Sequence, residues 1–162
     1  MRIRARNVTV LSAVLAASFV VPGATDAADV KVYSGAECMV DPSFQNEMIL
    51  GNYGYQTFSV PAGSRRRFLC PIVRDNTANT NGVVSATLSG AEISTASVSC
   101  TLFSYNTSGT SVDSVTANSP GPTPADFTLN FAGLDVSTVD GFYLIRCDLP
   151  NVATISHYRI DE

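Results

Sequence analysis

Tryptophan is absent from the chain, histidine occurs once, at His157, and lysine once, at Lys31. Without tryptophan, the widest aromatic platform on which a sugar ring stacks is missing. A lone histidine cannot supply the histidine clusters of zinc sites, and no two cysteines stand closer than thirty residues, so short-spaced metal knuckles are excluded as well. Cysteine catalysis is disfavoured because export favours disulfides over thiols. No Gly-x-Ser-x-Gly elbow is present, so His157 has no recognisable serine nucleophile to serve and reads as a strand histidine. Positive charge is scarce too. Beyond residue 27 there are seven Lys and Arg against thirteen acids, so the net charge is 7 − 13 = −6. That balance opposes binding to nucleic acid or to an anionic membrane. No apolar run of membrane length follows residue 27, and the polar end His157-Tyr158-Arg159-Ile160-Asp161-Glu162 carries no sorting tail.

What is present begins with a leader. Arg2, Arg4 and Arg6 precede an apolar stretch from Val8 to Val21, and small residues around Ala24, Thr25 and Ala27 follow it. That order predicts a signal peptide over residues 1–27, with a single domain over 28–162 and no membrane anchor after cleavage. The expected location is secreted or periplasmic. Nine arginines against one lysine, together with the short leader, read as bacterial. Cys38, Cys70, Cys100 and Cys147 all lie beyond the leader, and an even count in an exported chain predicts two disulfides and no free thiol.

Alternation of period two dominates residues 28–162. Ala96, Val98, Cys100 and Leu102 share one side of a predicted strand over 95–105, with Ser97, Ser99 and Thr101 on the other. Phe127, Leu129 and Phe131 repeat the pattern, as do Tyr143, Ile145, Cys147 and Leu149, whose opposite side carries Phe142, Leu144, Arg146 and Asp148. Further strands are expected at 30–33, 55–60, 66–73, 83–89, 111–117 and 153–160. Asn81-Gly82, Pro61-Ala62-Gly63 and the proline-rich run 118–124 supply turns. Asn106-Thr107-Ser108 is a formal glycosylation sequon that reads as a polar turn. The run 41–52 fits a helical turn or a loop. About nine short strands predict an all-β, antiparallel two-sheet sandwich, immunoglobulin-like or jelly-roll-like in style, stapled by two disulfides.

Val98-Ser99-Cys100-Thr101-Leu102 and Ile145-Arg146-Cys147-Asp148-Leu149 share one frame, so both cysteines point inward with their apolar neighbours. Of three pairings this favours Cys100–Cys147, leaving Cys38–Cys70 by remainder. The segment Asp140 to Cys147 resembles the late-strand signature of immunoglobulin domains, which implies a sandwich. It departs from that family in placing Tyr143 four residues before the cysteine instead of two, and in having no tryptophan to pack on the bridge. Cys70-Pro71, Val98-x-Cys100-x-Leu102, Tyr143-x-x-x-Cys147-x-Leu149-Pro150 and Ile155-x-x-Tyr158 together are similar to small exported, disulfide-containing bacterial β-proteins of unassigned function. That resemblance covers most of residues 38–162 and implies a fold style and a compartment, but no reaction.

Arg65-Arg66-Arg67 is the one charge cluster, and strand parity turns Arg66 away from its neighbours, so the run reads as a gatekeeper beside Phe68-Leu69-Cys70, with a contact for an anionic surface sugar as the alternative. Parity also puts Phe103 and Tyr105 on the outer side of their strand if Cys100 and Leu102 face the core. Two outward rings bordered by Asn106 and Thr107 form the predicted ligand surface, suited to carbohydrate or to another extracellular protein; the competing expectation is that a loop, the run 41–52, covers them. No catalytic residue, metal ligand or cofactor is singled out. The function expected is an exported, non-catalytic binding or structural module; a subunit of an extracellular assembly, or an enzyme or inhibitor with a dispersed site, are the alternatives.

Overall fold

In the computed structural model, described residues are 30–43, 57–58, 65–74, 82–83, 85–92, 96–121, 125–134, 141–150 and 153–162. The leader over 1–27, most of the run 41–52, the turns at 61–63 and 81, and residues 122–124 of the proline-rich run lie outside the described residues.

Ten antiparallel strands are seen among the described residues: β1 Val30–Ser34, β2 Met39–Val40, β3 Thr57–Phe58, β4 Arg66–Ile72, β5 Ser85–Glu92, β6 Ser99–Tyr105, β7 Ser111–Asn118, β8 Ala125–Phe131, β9 Phe142–Leu149 and β10 Ala153–Asp161. They form two five-stranded sheets. The first runs β1-β10-β5-β8, with β3 sharing the β1 edge of β10; the second runs β2-β4-β9-β6-β7. The predicted two-sheet sandwich is therefore the fold.

Alternation is what drives it. Phe68, Cys70 and Ile72 on β4, Cys100 and Leu102 on β6, and Tyr143, Ile145, Cys147 and Leu149 on β9 are all buried. They meet Leu88, Phe127, Leu129, Phe131, Tyr158 and Ile160 from the first sheet. A one-residue slip in any of these strands would turn its whole apolar set to water, so the register is strongly fixed. Emptying one such position, for example Ile145→Ala, costs about 2–5 kcal/mol.

Both predicted disulfides form, Cys38–Cys70 and Cys100–Cys147, and none of the four cysteines is free. Cys100 is the register partner of Cys147, and Cys38 falls opposite Cys70 by continuation of the Met39↔Leu69 pairing. Each bridge thus joins adjacent strands of one sheet. The immunoglobulin signature implies a bridge between sheets, and here the likeness stops.

Two elements escaped the alternation pattern. Strand β2 has only two residues. Ahead of it, Gly35–Glu37 makes a single 3-10 turn capped by Ser34, whose hydroxyl accepts from the Ala36 N–H while Glu37 reaches back to the Ser34 N–H. This turn carries the chain from the first sheet to the second across β10. It passes so close that a Cβ on Gly35 would lie 2.0 Å from the Ile155 carbonyl oxygen, so only glycine fits.

Tyrosines lock one end of the sandwich. The Tyr158 hydroxyl donates to the Pro71 carbonyl at 2.7 Å and the Tyr33 hydroxyl to the Val73 carbonyl at 3.0 Å, while the two rings stack 4.8 Å apart. At the other end the buried Glu92 carboxylate of β5 accepts from the Ser119 hydroxyl at 2.8 Å and the Val98 N–H at 3.3 Å. Each lock ties a polar group of one sheet to a partner from the other, which keeps these buried groups hydrogen-bonded.

Candidate functional site

Phe103 and Tyr105 lie where parity puts them. On β6 the buried positions are Cys100, Leu102 and Ser104, and Thr101, Phe103 and Tyr105 project from the outer face of the second sheet, half-exposed. Residues 44–52 lie outside the described residues, so the expectation that part of this loop covers the rings concerns chain that is not described.

The neighbouring strand completes the surface. Along β9, Arg146, Leu144 and Phe142 stand opposite Thr101, Phe103 and Tyr105. Tyr105 and Phe142 stack with ring centroids 5.0 Å apart and planes 14° from parallel, and Phe103 lies 5.6 Å from Tyr105 at a 31° tilt. On the far side of Phe103 the Arg146 guanidinium sits over the ring, 4.6 Å from its centroid. The order along the sheet is Arg146, Phe103, Tyr105, Phe142, a continuous ridge. Cross-strand aromatic pairs of this kind stabilise a sheet by roughly 0.2–1 kcal/mol each.

Phe142 leaves 45% of its surface in water, and Met39, on the outer side of β2, leaves 60%. Leu69 stands between Met39 on β2 and Arg146 on β9, and Leu144 between Pro71 on β4 and Phe103 on β6. Beside Leu69 on β4, Arg67 bonds Asp148 at 3.2 Å and approaches Asp41 at 3.9 Å. The Ser43 hydroxyl and backbone N–H both donate to Asp41 and hold its carboxyl below the usual range, with Arg67 adding to the effect.

The arginine run divides as parity predicts. Arg66 is buried, while Arg65 and Arg67 are on the outer side. Arg65 also donates to the carbonyls of Ser97 and Asp148, tying the start of β4 to the ends of two other segments. The sequon forms the predicted turn: the Asn106 side-chain oxygen accepts from the N–H groups of Ser108 and Thr110. His157 is exposed on β10, far across the molecule on the outer face of the first sheet. Among the described residues, no three His, Cys, Asp or Glu side chains lie close enough together to hold a metal.

Phe142, like Arg146, is a ridge member that the sequence reading did not single out as a site residue, although it lay on the outward parity of its strand. Its signal was the Cys100–Cys147 frame. If those residues are opposite, antiparallel counting places Tyr105 opposite Phe142.

Strand order and outer-face chemistry together define a two-sheet antiparallel β-sandwich with an aromatic face. No family model and no characterised protein matches the chain. Among solved structures it is similar to the CBM36-1 domain of a multidomain xylanase from the hindgut metagenome of Trinervitermes trinervoides, at 15% identity and a TM-score of 0.47, over 82% of this chain and 96% of that one. An arabinose-bound α-L-arabinofuranosidase is similar at 13% identity and a TM-score of 0.42, over 80% of this chain and 23% of that one. Likenesses at this level argue for no shared ligand or reaction.

Proposed function

We propose that the protein is an exported, non-catalytic module that binds another extracellular protein through the outer face of the second sheet. Export is supported by the basic-then-apolar leader and by the pairing of all four cysteines. The observation that carries the binding reading is the ridge Arg146–Phe103–Tyr105–Phe142.

Its geometry separates a protein partner from a sugar. A sugar ring needs the open face of an aromatic ring to stack on. Here Arg146 covers one side of Phe103, and the rings of Tyr105 and Phe142 cover each other, so what the ridge offers outward is mostly edges and aliphatic tips. Rigid aromatics flanked by an arginine have the composition of protein–protein hot spots, which favour Tyr, Trp and Arg over an apolar surround. The matching partner surface is apolar with carboxylates opposite Arg146.

Photo-crosslinking in the producing cell tests this. With p-benzoylphenylalanine in place of Phe142, the expected result is one dominant extracellular adduct, lost when Phe103→Ser and Tyr105→Ser are added. The same photoreactive residue in place of Asn130, on the outer face of the first sheet, gives none. Equal adducts from both positions, or none from position 142, would overturn the reading.

A further inference from the structure

The outer face of the first sheet holds an open trough of about 290 Å³ over the central strand β5, lined by residues of β5, β8 and β10. It exists because Ser89 and Ala91 on β5 are small, whereas the flanking strands raise Asp126 and Thr128 on one side and Ser156 and His157 on the other. A β-bulge between Ile155 and His157 inserts Ser156 as an extra residue and bends β10 at this point.

Hydrogen bonding fixes the chemistry of the walls. The Ser156 hydroxyl gives its only proton to the Ser89 carbonyl, at 2.9 Å. Its contact with His157 Nδ1, at 3.3 Å, therefore needs the proton on the imidazole nitrogen. Neutral His157 then keeps its lone pair on Nε2, an acceptor on an exposed side chain. Diagonally across the trough, two inter-strand spacings over and two residues along from His157, or about 12 Å away, the exposed Asp126 carboxylate is a second acceptor. On the floor, Ser89 and Thr128 share one hydrogen bond at 3.1 Å, which leaves one hydroxyl hydrogen of the pair to donate. Two acceptors set diagonally on opposite walls, with a donor hydroxyl on the floor beside them, match a ligand rich in O–H groups and without charge.

We propose that this trough is a second binding site, independent of the aromatic ridge, for a neutral polyhydroxylated ligand of the saccharide class. The extended chain of an oligosaccharide can lie along β5, with well-separated hydroxyls on its two edges donating to Asp126 and to His157 Nε2.

Backbone amide chemical shifts of the secreted protein, titrated with glucose, galactose, mannose, cellotetraose and maltotetraose, test it. At least one sugar is expected to shift the resonances of residues 89–91, 126–128 and 156–157 together. Asp126→Ala and His157→Phe should each weaken that sugar about tenfold, the loss of one hydrogen bond. Phe142→Ser should leave sugar affinity unchanged, so failure here is separable from failure of the ridge. The proposal is overturned if no sugar moves these resonances, if sugars move only Phe103, Tyr105 and Phe142, or if lysine methyl ester, an ammonium donor, moves the trough resonances more than any sugar does.

Discussion

The second sheet carries both disulfides and shows the aromatic ridge to the outside; the first sheet carries neither bridge, and over β5, β8 and β10 its outer side is hydroxyls, Asp126, His157 and Arg159, with Val30 and Val32 exposed at its β1 edge. The strand pairings explain part of this difference. Strand β1 lies along β10 over five register pairs and is further held by the Tyr33–Tyr158 stack and by Lys31, which donates to the Val73 carbonyl at 2.8 Å. Strand β2 pairs β4 over two residues only, too few to hold an edge, and Cys38–Cys70 fastens it covalently. A stapled sheet can also keep an apolar outer face without relying on that face for its stability. What the comparison teaches is that the cross-linking falls on the sheet whose exposed side is least suited to water.

The comparison breaks most visibly when a staple goes. Replacing Cys100 and Cys147 together by Ala reopens a separation of 47 residues and should cost about 4 kcal/mol in the chain-entropy treatment, measured by urea unfolding. Amide exchange should then rise in β6, β9 and β4 before it rises in β5 and β10. A uniform rise would mean that the staple serves both sheets equally.

The first sheet, lacking staples, depends on close approach instead. On the inner side of β5, a Cβ added to Gly90 would lie 2.0 Å from the Thr154 carbonyl oxygen and 2.7 Å from the Phe127 ring. Gly90→Ala should therefore cost about 3 kcal/mol by forcing β10 away from β5. A melting temperature unchanged by this substitution would contradict the packing described.

The tyrosine lock between the sheets has a pH signature. Burial raises the Tyr158 hydroxyl well above its ordinary 10.0, with Glu37 and Tyr33 adding to the effect, and burial likewise raises Tyr143. The folded state thus holds these protons more tightly than the unfolded chain does. The contribution is complete below the unfolded value near 10 and is lost as pH climbs above it. Tyr158→Phe should cost about 1 kcal/mol at neutral pH through the lost bond to Pro71, and should flatten the fall in stability above about pH 10. Denaturant titrations on both sides of that value read both effects.

The smallest stability effect is expected on the ridge. Phe103→Ser removes a half-exposed ring and should cost under about 1 kcal/mol while abolishing the partner adduct formed from position 142, which separates binding from folding.

Much of this was legible in the chain because the information is local or follows parity. The inward faces of β6, β8 and β9, the Cys100–Cys147 pairing and the outward placement of Phe103 and Tyr105 came from alternation alone, and Cys38–Cys70 followed by remainder. The Cys100–Cys147 pairing even implied the Tyr105–Phe142 stack, since antiparallel register is fixed by one pair. Other features depended on strands distant in sequence. The trough needs β10, β5 and β8 side by side and a bulge at Ser156, and nothing near Ser156 in the sequence announces an extra residue. The glycine requirement at Gly35 arises from Ile155, on the far side of the chain. A two-residue strand such as β2 has too short a pattern to be read as alternation.

Hydroxyl-radical footprinting, comparing the purified protein alone with the same protein bound to the partner that crosslinking identifies, tests the central claim most directly. The account predicts that oxidation of Met39, Phe103, Tyr105 and Phe142 falls together on binding, while His157 on the opposite sheet is oxidised as before. Protection of His157 with the ridge left open would contradict it.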